Sequence, residues 1–119
     1  MKTHCLLISG TTIVSDRTLA AELSKHLTVI QNADNTHIKS IVAREKIDLI
    51  LMEISATPLL DMEILRHLHR QHPNISVLLV EGDKDSEWIA RGLQHGAKDA
   101  FRRPYQRRLI VERVLAVLQ

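Results

Sequence analysis

The stretch Ile47-Asp48-Leu49-Ile50-Leu51-Met52-Glu53-Ile54 is the most apolar strand-like run of the chain. A continuous apolar run of this length is typical of a strand in a parallel sheet, which is buried on both faces. Glu53 lies near its carboxyl end, and in open α/β sheets ligands and chemistry collect at that edge. The alternative is a strand-end glutamate that only points into water.

Short apolar runs alternate with helical periods along the rest of the sequence. The predicted strands are 5–8, 27–30, 47–53, 75–80 and 97–101. Apolar residues at three-to-four spacing mark five helices. The first has Leu19, Ala20, Leu23 and Leu27, the second Ile38, Ile41 and Val42, and the third Met62, Leu65 and Leu68. The fourth has Trp88, Ile89 and Leu93, and the fifth, within 106–118, has Leu109, Ile110, Val114 and Leu115 facing inward. Five strand-then-helix repeats with short connections predict one α/β domain, a parallel sheet covered by helices on both faces.

Local signals set the predicted ends of these helices. Ser15 or Asp16 is the predicted cap of the first helix and Thr36 that of the second, after a polar loop over 31–35. Pro58 suits the start of the third helix, and Asp83 or Asp85 opens the fourth.

Composition excludes several classes of protein. The 119 residues, 45% hydrophobic and 25% charged, are ordinary for one globular domain. No run reaches the roughly 18 apolar residues of a membrane span. Cys5 is the single cysteine, so no internal disulfide can form, and it is predicted to be a small core residue rather than a nucleophile. We expect a cytoplasmic domain without a membrane partner.

Two clusters of polar residues suggest binding but have plainer explanations. The first contains Arg102, Arg103, Arg107, Arg108 and Arg113, and could bind nucleic acid or an acidic partner. Aromatic residues that stack on bases are scarce, so a solvated helix face with one site residue is favoured. The second contains His67, His69 and His72, of which only the last two share a helix face, so surface histidines are favoured over a metal site.

Several strings resemble the receiver domain of bacterial two-component response regulators. The stretch 92–105, with Arg103-Pro104-Tyr105 near its end, resembles that family's helix-4 to strand-5 signature, which ends in Lys-Pro-aromatic. The stretch 48–53 resembles its acceptor strand, and 58–61 the loop that follows. The resemblance covers essentially the whole chain. It implies the CheY-like, flavodoxin-like fold, with five parallel strands in the order 2-1-3-4-5 in a three-layer α/β/α domain.

The resemblance also implies a site at which each functional position departs from the family's pattern. The departures are Ser9 and Gly10 at the acidic pair, Glu53 at the phosphoacceptor aspartate, Glu81 at the hydroxyl residue, Ala100 at the switch aromatic and Arg103 at the lysine. Mg²⁺ prefers several hard oxygen ligands, and one remaining carboxylate is a poor set. We therefore expect a pseudo-receiver with no bound cofactor or Mg²⁺. Arg103 is predicted to pair with Glu53 or Glu81, the alternative being that Glu53 and Arg103 both reach solvent.

The expected function is a non-catalytic signalling module that is independent of phosphorylation. It would act through protein contacts of the helix 4, strand 5 and helix 5 face, to which Trp88, Asp99 and Arg113 are assigned. Asp99 and Arg113 fall where one class of receivers places a charged pair across a dimer face, which supports a homodimer, and charges exposed by chance are an equal alternative. Residues 1–119 would be a stand-alone domain or a piece of a longer response regulator, and nucleic acid would be bound only through an effector domain.

Two other functions remain open at this point. The segment 9–12, Ser-Gly-Thr-Thr, has the small hydroxyl character of a phosphate-binding loop and is compatible with a flavodoxin-like FMN electron carrier. Against that function, the aromatics that sandwich an isoalloxazine are nearly absent. The other alternative is a receiver that is phosphorylated on a different acid.

Overall fold

Five strands alternate with five α-helices in the computed structural model, which describes residues 3–81 and 87–119. The strands are β1 (Cys5–Ser9), β2 (Thr28–Asn32), β3 (Leu49–Glu53), β4 (Ser76–Glu81) and β5 (Asp99–Arg102). The helices are α1 (Arg17–Ser24), α2 (Ile38–Arg44), α3 (Pro58–Gln71), α4 (Glu87–Gln94) and α5 (Arg107–Val117). Short 3₁₀ turns at Ile13–Ser15 and Asn35–His37 precede α1 and α2.

All strand pairings are parallel, and the strand order is β2-β1-β3-β4-β5, as the resemblance implied. β3 lies at the centre, between β1 and β4, and each of its five residues is buried. Because the strands run in one direction, their carboxyl ends meet at a single edge. That edge brings together Ser9, Glu53 and Glu81.

The core has two layers, one on each face of the sheet. One face packs against Leu19 and Leu23 of α1 and Ile110 and Val114 of α5. The other face packs against α2 and α3, including Leu65, which is 1% exposed. Truncating such a residue to alanine is expected to cost about 2–5 kcal/mol of stability. The three-layer α/β/α architecture is confirmed.

Two local predictions at the second strand and helix are wrong. β2 extends to Asn32, because Gln31 and Asn32 pair with β1 at the sheet edge, where polar side chains reach water or the site. The predicted polar loop therefore begins later. Thr36 does not cap α2: it lies within the 3₁₀ turn that leads into α2, and that turn is capped by Asp34, whose carboxylate accepts a hydrogen bond from the Thr36 amide at 2.9 Å.

The helical spacing predicts that Leu109 of α5 faces inward, and this is wrong, because Leu109 is 47% exposed. Leu93, which marks α4 in the sequence, is 44% exposed. On α4 the buried position is the neighbouring Gly92, whose lack of a side chain lets the helix approach Leu79 of β4. Ile110 supplies the apolar face of α5 with Val114. Asp16 caps α1 and Pro58 opens α3, as predicted. The predicted cap at Asp83 or Asp85 lies outside the described residues.

In the described part of the chain, no helix has both the length and the apolar character needed to span a bilayer.

Candidate functional site

The Glu53 side chain folds back over the loop that follows β1. Its Oε1 accepts hydrogen bonds from the backbone amides of Thr12 at 2.8 Å and Ile13 at 3.4 Å. The residue is 6% exposed, so the carboxylate is removed from bulk water. Backbone N–H groups stabilise a buried carboxylate, because they replace the hydrogen bonds it would make with solvent. Glu53 therefore points into the site rather than into water.

Gly10 provides the space that Glu53 occupies. A Cβ added to Gly10 would lie 2.6 Å from Oε1 of Glu53, well inside van der Waals contact. Gly10 also has φ of +137°, a backbone conformation that side-chain-bearing residues rarely adopt. The departures at positions 10 and 53 are thus spatially complementary.

Arg103 neutralises the other oxygen of the same carboxylate. Its Nη2 lies 2.6 Å from Oε2 of Glu53, and the two side chains are 22% and 8% exposed. This contact is an ion pair and not an aligned hydrogen bond. The Arg103 amide also donates to the Glu81 carbonyl at 3.0 Å, which holds the end of β5 against β4. Of the two predicted partners, the structure places Glu53 against Arg103.

A buried network of polar side chains lies next to Glu53 and connects the loops around the site. The Ser9 hydroxyl donates to Oδ1 of Asn35 at 2.6 Å and accepts from Asn32 at 3.0 Å. The Asn35 amide donates to the Glu53 carbonyl at 2.8 Å and to the Asp61 carboxylate at 3.0 Å. Because Ser9, Asn35 and Asp61 are buried, their mutual hydrogen bonds replace those to water. The network holds the β2–α2 and β3–α3 loops to the strand ends.

Asn35 and Asp61 were not identified as site residues from the sequence. Asp61 is 0% exposed, and its other oxygen accepts from the amide and the hydroxyl of Ser55 at 2.6 and 2.9 Å. Asn35 follows a strand and lies in a polar loop, but a polar loop residue carries no signal that its side chain turns inward. The helical spacing of Asp61 with Leu65 and Leu68, on the buried face of α3, could have indicated its burial.

These residues do not fit a Mg²⁺ site of the kind that receivers have. Ser9 is already engaged as donor and acceptor within the network, and Gly10 has no side chain. The one carboxylate of the inner set, that of Glu53, is bound by two amides and a guanidinium. Mg²⁺ requires an octahedral set of oxygens, and an arginine in contact with the ligand opposes a second positive charge.

Glu81 and Ala100 occupy the two remaining positions. Glu81 is 3% exposed, and one of its oxygens lies 3.8 Å from Nε of Arg102 on the neighbouring strand. Ala100 pairs with Leu79 and packs against the apolar layer shared by α2 and α3. Its methyl group has no ring to move between inward and outward positions.

An open groove of about 1200 Å³ runs along this edge of the sheet. Thr12, Ala56, Leu60, Trp88 and Arg103 are among its lining residues. Trp88 is half-buried there, with the Arg91 guanidinium 4.8 Å from the centre of its ring. The structure thus places Trp88 beside the site, whereas its predicted companions on the partner face line a separate small pocket.

Asp16 joins α1 to the start of α5. Its carboxylate accepts from the Leu19 amide at 3.0 Å, from the Tyr105 hydroxyl at 2.6 Å and from Nε of Arg107 at 2.9 and 3.0 Å. Burial acts to raise the pKa of Asp16, but these hydrogen bonds outweigh it and lower the pKa below 3.8. Burial, and then the bond to Asp16, raises the pKa of Tyr105 to about 12. The sequence predicted Asp16 as a cap of α1 but not its contacts with Tyr105 and Arg107.

Asp99 and Arg113 are paired within the chain, with Oδ2 and Nε 2.8 Å apart. The other arginines of the predicted basic patch have carboxylate neighbours too: Glu81 for Arg102, Glu53 for Arg103, Asp16 for Arg107 and Glu112 for Arg108. This pairing removes most of the positive field that a nucleic-acid surface requires.

No protein-family model matches the sequence. Solved structures are similar to it over nearly its whole length. A response regulator from Thermotoga maritima has a TM-score of 0.84 at 20% identity, over 97% of each chain. HP1043, an orphan response regulator of H. pylori, has a TM-score of 0.86 at 18% identity, over 98% of each chain. NtrX from Brucella abortus in complex with ADP has a TM-score of 0.82 at 18% identity, over 99% of this chain and 26% of that one. At these identities the likeness shows the fold, which is that of response regulator receiver domains.

Proposed function

We propose that this chain is a pseudo-receiver: a non-catalytic regulatory module that works without phosphorylation and controls a protein partner or an attached effector domain. The observation that carries the proposal is the state of Glu53. Its carboxylate is held by Thr12, Ile13 and Arg103 in the place where a receiver would accept a phosphoryl group. The site is filled and neutralised by the chain's own side chains.

The chemistry of Glu53 supports this proposal. An acceptor carboxylate needs one oxygen free to attack phosphorus in line with the leaving group. Both oxygens of Glu53 are engaged, and the ion pair with Arg103 lowers the nucleophilicity of the one that faces the groove. The poor fit to Mg²⁺ removes the cation that would otherwise offset the charge of an incoming phosphoryl group.

The resulting state is a fixed one. Glu53 binds the β1–α1 loop through the Thr12 amide and the end of β5 through Arg103. The Glu53 carboxylate is a negative charge that connects the β1–α1 loop to the end of β5 in every molecule. A phosphoryl group would make such a connection only after its transfer to the site. We propose that Glu53 mimics the phosphorylated state and that a bacterial cell, in its cytoplasm, regulates this protein by its amount or by its partner.

The proposed partner surface is the α4–β5–α5 face, where Leu93 and Leu109 are exposed. The match to NtrX is compatible with an attached effector domain, since the region similar to this chain is about a quarter of the NtrX chain. We also propose a homodimer through this face. The pair of Asp99 and Arg113 is satisfied within one chain, so a dimer would rest on apolar contact around Leu109 or on exchange of these charges between copies.

The FMN carrier is the weaker alternative, because two amides that could cradle a phosphate after β1, those of Thr12 and the next residue Ile13, already donate to Glu53. Phosphorylation of another acid also lacks support at the site, where Asp61 and Glu81 are buried.

The test is incubation with acetyl phosphate and Mg²⁺ followed by intact-mass spectrometry. We expect no mass gain of one phosphoryl group. Trp88 lines the groove and would report binding there, and we expect no change in its fluorescence with beryllofluoride. A receiver domain with an intact acidic site, treated in parallel, is the positive control. A stoichiometric phosphoryl adduct on any acid of this chain would refute the proposal.

A further inference from the structure

We infer that Tyr105 and Asp16 form a link that carries the state of the Glu53–Arg103 ion pair to the first turn of α5. The inference rests on the proposed function, in which that pair holds the domain in one state. It names the surface that would change if the pair opened.

The first contact of the link is between Arg103 and Tyr105. The guanidinium carbon lies 5.8 Å from the centre of the Tyr105 ring, within the roughly 6 Å range of cation–π attraction. Arg103 is thus held on one side by the Glu53 carboxylate and on the other by an aromatic ring. Loss of the carboxylate would leave the guanidinium free to move toward solvent and away from the ring.

The second contact fixes the ring itself. The Tyr105 hydroxyl donates to Oδ2 of Asp16 at 2.6 Å, a short bond to a charged acceptor. The ring also packs against the apolar layer of α1 and α5, so it is held at both its edge and its tip. A shift of the ring must therefore move its bond to Asp16.

The third contact reaches α5. Asp16 accepts from Nε of Arg107 with both oxygens, at 2.9 and 3.0 Å, and Arg107 is the first residue of α5. The Asp16 side chain is 11% exposed and that of Arg107 is 51% exposed, so water reaches this ion pair from the Arg107 side. Since Asp16 is also the cap of α1, the link joins the site, α1 and α5 at one carboxylate.

The link through Tyr105 and Asp16 does not use a switch side chain on β5. Ala100 has no ring to transmit a change, whereas Tyr105 lies in the connection between β5 and α5. The geometry therefore points to the first turn of α5 as the responsive part of the partner face.

Amide hydrogen exchange tests the link. Leu109 and Ile110 donate their amides to the Gln106 carbonyl in the first turn of α5, at 3.0 and 3.3 Å. In Glu53→Gln we expect both amides to exchange about tenfold faster than in the native chain, because local opening becomes easier. In a Tyr105→Phe background, Glu53→Gln should add no further increase. Unchanged exchange in Glu53→Gln, or an equal increase in both backgrounds, overturns the inference.

The reverse direction gives a second, independent measurement. Coupling between two sites is reciprocal, so Tyr105→Phe alone should speed exchange of the Thr12 amide that binds Glu53. This variant remains informative if Glu53→Gln does not fold, and full protection of Thr12 in it overturns the link. Glu22→Gln, which removes a charge from an exposed pair with Lys25 on α1, is the matched control and should leave all these amides unchanged. The exchange result is separable from the proposed function, which is tested by covalent mass.

Discussion

Gly10 and Glu53 occupy complementary volumes: the space beside the Gly10 α-carbon that a side chain would fill is taken by the Glu53 carboxyl group. Oε1 of Glu53 lies 2.6 Å from where a Cβ of residue 10 would be. A receiver-type acid at position 10 could not coexist with the observed position of Glu53. Gly10 is therefore required by the observed position of the Glu53 side chain, from its Cβ to its carboxyl group.

Gly10→Ala is expected to destabilise the domain by about 3 kcal/mol, from overlap with Glu53 and from a backbone φ of +137°. Urea denaturation measures the loss. In a Glu53→Gly background, which removes the Cβ of residue 53 as well as its carboxyl group, the overlap disappears and only the backbone strain remains, so Gly10→Ala should then cost markedly less. Equal costs in the two backgrounds would show that the side chains do not compete for space.

Arg103→Gln is expected to lose about 2–3 kcal/mol of stability, because it leaves the Glu53 carboxylate buried without its counter-charge. The figure lies below that for a fully buried pair, since the Arg103 side chain is 22% exposed. Arg103→Lys keeps the charge but not the planar fork and should lose about 1 kcal/mol. Chemical denaturation of the two variants gives the comparison, and a Gln variant as stable as the Lys variant would contradict a charge-dependent role.

Tyr105 is the only tyrosine of the chain, so its ionisation can be followed by ultraviolet absorbance. Its pKa of about 12 lies above the ordinary value of 10.0. The folded state therefore retains the proton that the unfolded state releases, and the stability that Tyr105 contributes is present below pH 10 and is lost as pH rises toward 12. Asp16→Asn should move the pKa back toward 10, and an unchanged titration curve would argue against the Tyr105–Asp16 bond.

Asp16→Ala is expected to cost about 2–3 kcal/mol, because it removes a helix cap together with two side-chain partners, Tyr105 and Arg107. The matched control is Asp34→Ala, which removes an exposed cap whose carboxylate accepts from Thr36 and should cost clearly less than Asp16→Ala. Because the pKa of Asp16 is lowered below 3.8, its contribution is present above that pH and is lost on further acidification. Thermal melts between neutral pH and pH 2 should show a smaller loss of stability in Asp16→Ala than in the native chain, because Asp34, whose pKa is also lowered, remains in both.

The architecture could be predicted from the sequence because it follows from periodicity and connection length. The run that ends at Glu53 is apolar on both faces, and only a central strand of a parallel sheet buries such a run. The inward prediction for Leu109 was wrong for a physical reason, which also accounts for the exposure of Leu93. Periodicity shows that a helix has an apolar face, but it does not show how wide that face is, and Gly92 and Ile110 supply the contact instead.

The pairing of Glu53 with Arg103 could be proposed from opposite charges at strand ends that lie on the same edge of the sheet. The bonds of Glu53 to Thr12 and Ile13 could not, because backbone amides leave no trace in the residue types. The same holds for the pairing of Tyr105 with Asp16, which joins residues 89 positions apart across the molecule. Such contacts depend on the angle at which the β5–α5 connection returns to α1, and sequence spacing does not give that angle.

Leu109→Asp tests whether the α4–β5–α5 face joins two copies of the chain. Leu109 is 47% exposed and lines a small pocket with Asp99 and Arg113, so a charge there should leave the core intact and disfavour apolar contact with a second copy. We expect the dissociation constant of self-association, measured by sedimentation, to rise by about tenfold or more. Leu59→Asp, at a 70% exposed site on α3, is the matched control and should self-associate like the native chain. A native chain that remains monomeric at all concentrations, or equal weakening by the two variants, would remove this face as the homodimer interface and leave it for a different protein partner.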